Sequence, residues 1–538
     1  MTSALDRTFD AVQAAVLGEG GKIQIGKDEA GRVVVTNLPP TLPIFFDAFC
    51  MLHGATEAVI AGDERLTYAD LHAHAVRLAK ALVGAGIGKG DRVAIAMRNC
   101  PSWIVSYMAA LKAGAVATLI NGWWQTEEMR HALNLTNPKL VIADEGRARR
   151  IEAACLDCRI VTLPVEKPLD EALVPLFGGP EGELPQIAPD DDATILFTSG
   201  STGLAKGAVS THRAVTTGVY AYALGLATLR GIRESRGETV PQPRTLVNVP
   251  LFHVTGEVPV MLNSFVVDRT MVLMPKWDAG EALRLIAQEK ITYFVGVPTM
   301  SLELLQHPDR EKYDLSTLTD IAAGGAARPV SHVKRLEDGF KGAQPALGYG
   351  LTETNAVGCS NFWTNYHDKP ASTGRAQAPL VEVAIRSAAN VRGYWNDEKA
   401  TRAAFTPDGW FKSGDIGYLD DEGYLFIVDR MKDIIIRGGE NIAAQEVEAA
   451  IYAHPTVSEA AVFGIPDERL GEVPAAVVYC EDGRIEADAL TIFLSQHLAQ
   501  FKLPARIWFV DEPLPKLGTG KIDKPELRAR YRPLAATG

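Results

Sequence analysis

The sequence contains few cysteines. Only six of its 538 residues are Cys, too few for a disulfide framework in a chain of this length. Cys155 and Cys158 form a C-x-x-C pair, but no second ligand pair stands at a spacing that would complete a zinc site. We therefore expect neither disulfide stabilisation nor metal chemistry from the cysteines.

The chain also lacks the long apolar runs of membrane and secreted proteins. No apolar run reaches the ~20 residues that a membrane-spanning helix requires. The first ten residues, MTSALDRTFD, include Asp6 and Asp10 and no apolar stretch that leads to a cleavage site, so a signal peptide is not expected. We expect a cytoplasmic protein, for which peripheral contact with a membrane surface and a homodimer both stay open.

Basic residues are not in excess. The chain has 54 Lys and Arg against 66 Asp and Glu, a net charge of −12, whereas nucleic-acid binding needs a clustered basic face. We therefore expect no nucleic-acid partner. A nucleotide remains compatible with this charge, because local backbone N–H groups can hold phosphates against an unfavourable overall field.

Helical and strand patterns alternate along most of the chain. A helical pattern over 67–86 begins at the capping candidate Thr67 and is followed by a short apolar strand over 91–99. The same alternation returns between 245 and 350, where each strand ends in a Gly, Pro or polar loop. This pattern predicts an α/β fold of parallel βαβ units, with ligands at the carboxyl ends of the strands.

The pattern changes near residue 430. Residues 410–430 alternate and turn like a small antiparallel unit, and after them come a helix, two strands and a second helix. This last part forms an α+β module of about 105 residues, an ordinary domain size. We predict a large N-terminal domain over 1–430 and a small C-terminal domain over 431–538.

A loop rich in hydroxyl groups and glycine follows the predicted strand ATILF. It differs from the P-loop, in which Gly-Lys precedes Ser or Thr, because Lys206 lies between Ala205 and Gly207. Its backbone N–H groups could bind anionic oxygens, and Lys206 would add a positive charge. By itself the loop is equally compatible with a flexible polar turn. Its candidate binding residues are Thr198, Ser199, Gly200, Ser201, Thr202, Gly203 and Lys206.

A second candidate segment is GYGLTET, which follows another predicted strand. Tyr349, between two glycines, could stack on a purine, and Thr352 could donate to a phosphate. Glu353 supplies the oxygen ligand that Mg²⁺ prefers. Without a nucleotide, the same segment would be a capped helix start with a packed tyrosine.

The remaining candidates lie towards the C-terminus. Asp415 stands in a tight Ser-Gly-Asp loop, as expected for a carboxylate that accepts from ribose hydroxyls. Arg430 precedes the glycine-rich stretch Arg437–Asn441, which contains Gly438 and Gly439. Finally, Lys521 stands in a glycine-rich segment near the end of the chain.

Together and in this order, these segments resemble the adenylate-forming superfamily of acyl-CoA synthetases, luciferases and nonribosomal peptide synthetase adenylation domains. The resemblance covers roughly residues 45 to 530. Besides the hydroxyl-rich loop and GYGLTET, it rests on VPLFHVTG (249–256), AAGGAARP (322–329), GWFKSGDIGYLDDEGYL (409–425), DRMKDIIIRGGENI (429–442) and PKLGTGKIDK (515–524). It implies a large domain of α/β subdomains with a small β-barrel-like subdomain, then a small mobile α+β domain.

The resemblance also implies roles for nucleotide-binding residues. Tyr349 and the adjacent Gly350 would contact adenine, Gly324 and Gly325 would line the nucleotide and acyl sites, and Asp415 with Arg430 would bind ribose. The hydroxyl-rich loop would hold the β- and γ-phosphates of ATP, with Thr198 and Thr352 on phosphates and Glu353 on Mg²⁺.

Four further positions take roles in the reaction or in domain movement. Lys521 would bridge the substrate carboxylate and the α-phosphate, and Lys432 matches the hinge between the two domains. His253 would lie where the acyl channel meets the carboxylate, although a packed core histidine is its alternative. The Arg437–Asn441 loop would face the site in the second step.

The resemblance therefore implies an ATP-dependent acid–thiol ligase that uses Mg²⁺ and coenzyme A and forms acyl-AMP before acyl-CoA. The similarity to bacterial fatty acyl-CoA synthetases indicates a hydrophobic acid, with a medium- or long-chain fatty acid as our first choice. The chain stops at Gly538 without a carrier-protein domain, which favours free CoA as the acceptor. The alternatives are an aryl or cinnamate CoA ligase, an acyl-AMP ligase that serves a separate carrier protein, and a non-catalytic acyl- or nucleotide-binding protein.

One segment departs from the family pattern. Where the family has an additional strand-turn-strand, VEVAIRSAANVRGYWN runs straight through, as though a hairpin were absent between Ala384 and Ile385. No candidate catalytic residue is lost. We expect reduced strand pairing in the third subdomain, with an exposed sheet edge.

Overall fold

A computed structural model describes most of the chain. Its described residues are 3–17, 21, 23–154, 158–198, 205–326, 328–375, 382–438, 440–481, 485–517 and 520–535. Cys155 of the C-x-x-C pair, the loop residues Ser199 to Gly203, and Gly439 lie outside these ranges. No helix within the ranges is long and apolar enough to cross a bilayer.

The helices follow the sequence pattern closely. The predicted helix that begins after Thr67 is present with a capping box, in which the Thr67 hydroxyl accepts from the Asp70 N–H and the Asp70 carboxylate accepts from the Thr67 N–H. In chain order the helices are α1 (Ala4–Leu17), α2 (Leu42–Leu52), α3 (Tyr68–Gly84), α4 (Pro101–Lys112), α5 (Thr126–Thr136), α6 (Glu145–Ala153), α7 (Leu169–Ala172), α8 (His212–Ser235), α9 (Asn263–Val266), α10 (Ala279–Glu289), α11 (Pro298–Gln306), α12 (Val330–Gly339), α13 (Trp363–Asp368), α14 (Glu398–Ala404), α15 (Ala444–Tyr452), α16 (Ala487–Ser495) and α17 (Lys524–Ala535).

Strands over Val/Ile-rich segments follow the sequence pattern, whereas short strands such as Gly374–Arg375 and Gly393–Tyr394 carry no such signal. In chain order they are β1 (Ile25–Lys27), β2 (Val33–Val35), β3 (Glu57–Ala61), β4 (Glu64–Thr67), β5 (Arg92–Ala96), β6 (Val116–Leu119), β7 (Leu140–Asp144), β8 (Ile160–Leu163), β9 (Asp192–Thr198), β10 (Lys206–Thr211), β11 (Arg244–Val247), β12 (Thr270–Leu273), β13 (Tyr293–Gly296), β14 (Asp320–Gly324), β15 (Gln344–Gly350), β16 (Gly358–Phe362), β17 (Gly374–Arg375), β18 (Glu382–Ile385), β19 (Gly393–Tyr394), β20 (Phe411–Leu419), β21 (Tyr424–Arg430), β22 (Ile435–Arg437), β23 (Glu440–Ile442), β24 (Glu459–Asp467), β25 (Gly471–Tyr479) and β26 (Arg506–Val510).

Two large sheets share one hydrophobic core. Among the described residues, a seven-stranded sheet has the order β19-β10-β9-β6-β5-β7-β8, and an eight-stranded sheet has the order β16-β15-β14-β13-β11-β12-β3-β4. The central strands pair in parallel, as predicted, whereas β10, β16 and β4 add antiparallel pairs towards the edges. Helix α4 is buried along its whole length, as its apolar composition on every face predicts.

The third subdomain is a four-stranded antiparallel sheet in the order β17-β21-β20-β18. Ala384 and Ile385 are consecutive residues of β18, which pairs with β20 and forms the edge of the described sheet. The proposed domain boundary at 430/431 falls in the connection between β21 and β22. After it come β22 to β26 in one five-stranded sheet, with α15 and α16 packed in the same hydrophobic cluster.

Helix α1 anchors the N-terminus to this third subdomain, a contact that the sequence did not indicate. Asp6 is 1% exposed and accepts from the Tyr424 hydroxyl at 2.9 Å and from the Asn365 amide at 3.0 Å. Arg375 lies 3.6 Å from the same carboxylate. A carboxylate buried this deeply is stable only because these partners satisfy it.

Candidate active site

The candidate site lies at the carboxyl ends of the strands of the eight-stranded sheet. β14 ends at Gly324 and β15 at Gly350, and Gly324 pairs with Gly348 in parallel. A continuous cleft of about 3670 Å³ opens there and extends to the C-terminal domain. Most of the described candidate residues line it; Gly438 is the exception, on the β22–β23 hairpin.

Tyr349, Asp415 and Arg430 form one hydrogen-bonded group in the cleft. The Tyr349 hydroxyl donates to Asp415 Oδ2 at 2.7 Å, and Arg430 Nε lies 3.1 Å from Asp415 Oδ1. Asp415 and Arg430 are cross-strand neighbours in the β20–β21 pair, which fixes their separation. Burial and the adjacent Asp415 raise the pKa of the Tyr349 phenol, which therefore stays a donor. The group presents an acidic acceptor beside a cation, a chemistry that suits ribose hydroxyls.

Glu353 belongs to a short 3₁₀ turn, Thr352–Thr354, directly after β15. The residue is 8% exposed, and its carboxylate accepts from the Tyr394 hydroxyl at 2.8 Å. Burial raises the pKa of this carboxyl, and the hydrogen bond from Tyr394 opposes the rise. Lys206 Nζ lies 5.2 Å from the Tyr394 ring centroid, so its charge is also close to the carboxylate.

Sequence reasoning missed Tyr394. It lies on β19, which joins the seven-stranded sheet through β10, and the segment RGYWN is part of the family pattern. Because the contact joins positions 41 residues apart, nothing local marked this tyrosine as a partner of Glu353.

The backbone directly after Glu353 adopts an uncommon conformation. Asn355 and Ala356 have φ values of 49° and 64°, the left-handed region that costs a non-glycine residue free energy. The Asn355 amide donates to Ala389 O at 2.7 Å, and the Tyr222 hydroxyl donates to Ala356 O at 2.6 Å. These bonds hold the turn and so fix the direction of the carboxylate.

Lys521 enters the cleft from the C-terminal domain. A Cβ atom added to Gly325 would lie 3.0 Å from Lys521 Cε, and Gly325 has a φ of 76° that favours glycine. Burial and the nearby Arg430 lower the pKa of the Lys521 ammonium to about 8, against the opposing effect of Asp415. Lys521 is thus a desolvated cation within the group of candidate residues.

A second lysine ties the lysine-bearing segment to the large domain. Lys516 Nζ lies 3.1 Å from Glu303 on α11 and 2.8 Å from Glu459 on β24. Lys516 also forms a β-bridge with Ile522, beside Lys521. The ion pair with Glu303 crosses between the domains and stabilises the arrangement in which Lys521 lies in the cleft.

His253 lies on the wall of the cleft, in the loop between β11 and the π-helix Gly256–Leu262. Its Nδ1 accepts from the Thr255 N–H at 3.3 Å, which leaves the ring proton on Nε2. Burial, with a contribution from Lys521, lowers the pKa of His253 to about 3. The ring is therefore neutral at physiological pH and can act as an N–H donor, not as a cation.

The remaining candidates lie beside the hydroxyl-rich loop or in the segment that follows β21. Thr198 and Lys206 face each other across the β9–β10 pair, at the two ends of the loop whose central residues are not described. Lys432 is exposed in the turn between β21 and β22. Gly438, with a φ of 60°, donates its N–H to Leu470 O at 2.7 Å.

The cleft continues past Gly324 into a region that we call the inner arm. Its floor is one face of β14, formed by Gly324, Ala322 and Asp320, since alternate residues share a face. Opposite lies a face of α8 with Tyr222, Leu226 and Leu229. The inner arm is apolar over most of this length.

Two family models match the chain, one over the large domain and one over the small domain. A family model described as "AMP-binding enzyme" matches residues 46–393, and a model described as "AMP-binding enzyme C-terminal domain" matches residues 446–521.

Individual proteins are similar over nearly the whole length. A feruloyl-CoA synthase of an Amycolatopsis species is 35% identical over 492 residues, covering 88% of this chain and 96% of that protein. A long-chain-fatty-acid–CoA ligase of Bacillus subtilis is 33% identical over 511 residues, with coverage of 85% and 89%. The crystal structure of ATP-bound MatB from Rhodopseudomonas palustris superposes with a TM-score of 0.78 at 28% identity, covering 92% of this chain and 99% of that one.

Proposed function

Because this chain belongs to the family of AMP-binding enzymes, we propose that it activates a hydrophobic carboxylic acid with ATP and transfers the acyl group to coenzyme A. The observation that carries the proposal is the single cleft in which Lys521, Gly325, Glu353 and the Tyr349–Asp415–Arg430 group lie together. AMP and pyrophosphate are the other products.

In the first step a carboxylate oxygen of the acid attacks the α-phosphorus of ATP, and pyrophosphate leaves. Two anions must approach each other, so the barrier falls when fixed positive charge compensates the transition state. Lys521 supplies that charge between the carboxylate and the α-phosphate. Its enclosure strengthens the interaction, because charges attract more strongly where water is excluded.

The residues present fit the nucleotide. Tyr349 and Gly350 would contact adenine, Asp415 and Arg430 would hold ribose, and Thr352, Thr198 and Lys206 would contact phosphates. Glu353 fits Mg²⁺, since a buried carboxylate with a raised pKa gains from a divalent cation. When bound, the ion neutralises phosphate charge.

In the second step the CoA sulfur forms a bond to the acyl carbon, and the bond from that carbon to the phosphate oxygen breaks. AMP leaves with the electrons of that bond, and the thiol proton passes to water. We propose that the domain over 431–538 turns about Lys432 between the steps, so that Lys521 withdraws and the loop with Gly438 and Gly439 faces the cleft. Gly438 lies outside the cleft in the present arrangement, which is the arrangement for the first step. The neutral His253 ring orients the acid by donating from Nε2.

The acid is expected to have a large apolar body. The inner arm is lined by apolar side chains of α8 and small residues of β14 and β15, and Gly324 and Gly325 leave room at its entrance. A medium- or long-chain fatty acid fits this shape. An aryl or cinnamate acid is the second candidate, because a feruloyl-CoA synthase is among the similar proteins.

A pyrophosphate-release screen tests this proposal directly. With acetate, octanoate, palmitate, benzoate and a cinnamate as acids, we expect catalytic efficiency to be lowest for acetate, since each buried methylene contributes about 1 kcal/mol of selectivity. Acyl-CoA should be detected by mass spectrometry. The highest efficiency with acetate would contradict the substrate class, and pyrophosphate release without acyl-CoA would indicate a carrier protein as acceptor.

The pKa of Lys521 gives an expected pH dependence. The ammonium is the active form, and its pKa in the free enzyme is about 8, so kcat/KM for acyl-adenylate formation should be flat below this pH. Above it, the rate constant should fall about tenfold per pH unit. Arg at this position stays protonated throughout, so Lys521→Arg should be slower but lack the decline near pH 8. The same decline in both enzymes would assign it to another group.

A further inference from the structure

The far end of the inner arm is not apolar. At the amino-terminal ends of the strands, the cleft is lined by Arg269, Tyr293 and Asp320. Tyr293 and Asp320 are partners in the parallel β13–β14 pair, and Arg269 directly precedes β12 at the same end of the sheet. Since β14 spans the distance from Asp320 to Gly324, this polar end lies roughly 13 Å from the entrance beside Lys521.

Arg269 is a buried cation whose Nε and Nη1 find no hydrogen-bond partner among the described residues. The whole residue is 2% exposed, and its guanidinium lies over the Tyr293 ring, 4.8 Å from the centroid. Burying a charge is unfavourable unless a partner compensates it. Burial correspondingly lowers the pKa of this guanidinium.

The acidic group at this end of the arm is already satisfied. Asp320 accepts from Arg233 Nη2 at 3.3 Å, from Trp363 Nε1 at 3.0 Å and from the Thr319 hydroxyl at 2.7 Å. Arg233 in turn lies 3.5 Å from Glu238 and stacks on Trp363. Glu238 also lies 3.9 Å from Arg236, so that two carboxylates face two guanidinium groups in this network. Asp320 therefore compensates the nearby Arg269 charge only in part.

We propose that the natural acid carries an oxygen acceptor, a second carboxylate or a carbonyl, at the end remote from its reacting carboxylate, and that Arg269 binds it. This inference rests on the proposed function and narrows its substrate class. An acid of this kind fills the apolar arm with its body and compensates the Arg269 charge with its far end. A simple fatty acid leaves the guanidinium unpaired.

The test compares three acids of one length: dodecanoate, dodecanedioate and the monomethyl ester of dodecanedioate. We expect the parent enzyme to prefer dodecanedioate over dodecanoate in kcat/KM by at least about tenfold, because unpaired buried donors penalise the acid that lacks the acceptor. The ester distinguishes a carbonyl acceptor from a carboxylate acceptor at the far end of the acid. If the ester is turned over as efficiently as the diacid, the acceptor is a carbonyl. If it is turned over slowly, the acceptor is a carboxylate.

The variant Arg269→Met removes the charge and retains the apolar stem. It should lower kcat/KM for dodecanedioate by about 100-fold while dodecanoate is used equally well or better. Arg269→Lys, which keeps a cation, should retain part of the preference and serves if the Met variant fails to fold. The matched control is Arg244→Met: Arg244 lies at the same end of the sheet but pairs with Glu57 at 3.2 Å, and it does not line the cleft.

Calorimetry of dodecanedioate binding to the free enzyme distinguishes this inference from the proposed function, because binding needs no turnover. Weaker binding to Arg269→Met than to Arg244→Met supports the inference even if no acid is activated. The inference is overturned if Arg269→Met and Arg269→Lys lose kcat/KM equally for dodecanedioate and dodecanoate. It is also overturned if the parent enzyme favours dodecanoate. In that case turnover of dodecanoate to its CoA ester still upholds the proposed function.

Discussion

Lys521→Ala should slow acyl-adenylate formation by about a thousandfold or more, since a preorganised charge at the transition state contributes several kcal/mol. Lys521 is the cation that the C-terminal domain brings beside Gly325, and its loss leaves the carboxylate and the α-phosphate to repel each other. Rapid-quench measurement of acyl-AMP formation gives this rate. The same variant, supplied with synthetic acyl-AMP and CoA, should form thioester at nearly the parent rate.

The control for Lys521→Ala is Lys502→Ala, which removes a lysine of the same domain that pairs with Glu446 at 2.6 Å and does not line the cleft. It should leave both half-reactions unchanged, and circular dichroism should confirm that both variants are folded. Equal loss of the two half-reactions in folded Lys521→Ala would falsify the two-arrangement mechanism.

Lys432→Pro should have the converse effect, with adenylation retained and thioester formation lowered by about 100-fold. Lys432 is an exposed residue of the turn between β21 and β22, and a proline ring fixes φ there and restricts Met431 as well. A domain that cannot turn keeps Lys521 in the cleft and keeps Gly438 outside it. Hinge residues act in this way because they absorb the backbone rotation.

The measurement for Lys432→Pro is a single-turnover experiment with ATP, acid and CoA. Acyl-AMP should accumulate to one equivalent and decay slowly, whereas Lys432→Ala, which keeps φ free, should pass through both steps as the parent does. Rapid thioester formation by the proline variant would show that the domain turns elsewhere.

The sequence pattern predicts those helices and strands whose formation depends on residues close together in the chain. Thr67 and Asp70 cap α3 from positions three residues apart, and the strands of the central sheets are short apolar runs between turns. The strands β10 and β16 were not predicted, and their antiparallel direction depends on where the chain returns. Periodicity carries no information about that.

The same distinction between local sequence and long-range contact applies to the site residues. Residues within motifs, such as Tyr349 and Asp415, were predicted individually, and the structure adds that they are hydrogen-bonded to each other. Tyr394 and Arg269 could not be predicted, because what distinguishes them is a contact or a missing partner that exists only after folding. Asp6 belongs with them: its partners lie more than 350 residues away in the chain.

Helix α1 contributes to the wall of the cleft but contains none of the proposed catalytic residues. Phe9, Val12 and Val16 of this helix line the cleft, and the helix lies before residue 46, where the match to the family model begins. The residues proposed to perform the chemistry all come later, whereas α1 supplies part of the cleft wall and is fastened through Asp6. Under the proposed function, replacement of α1 would therefore change the wall of the cleft without replacing any proposed catalytic residue, and we expect such a change to act on the choice of acid.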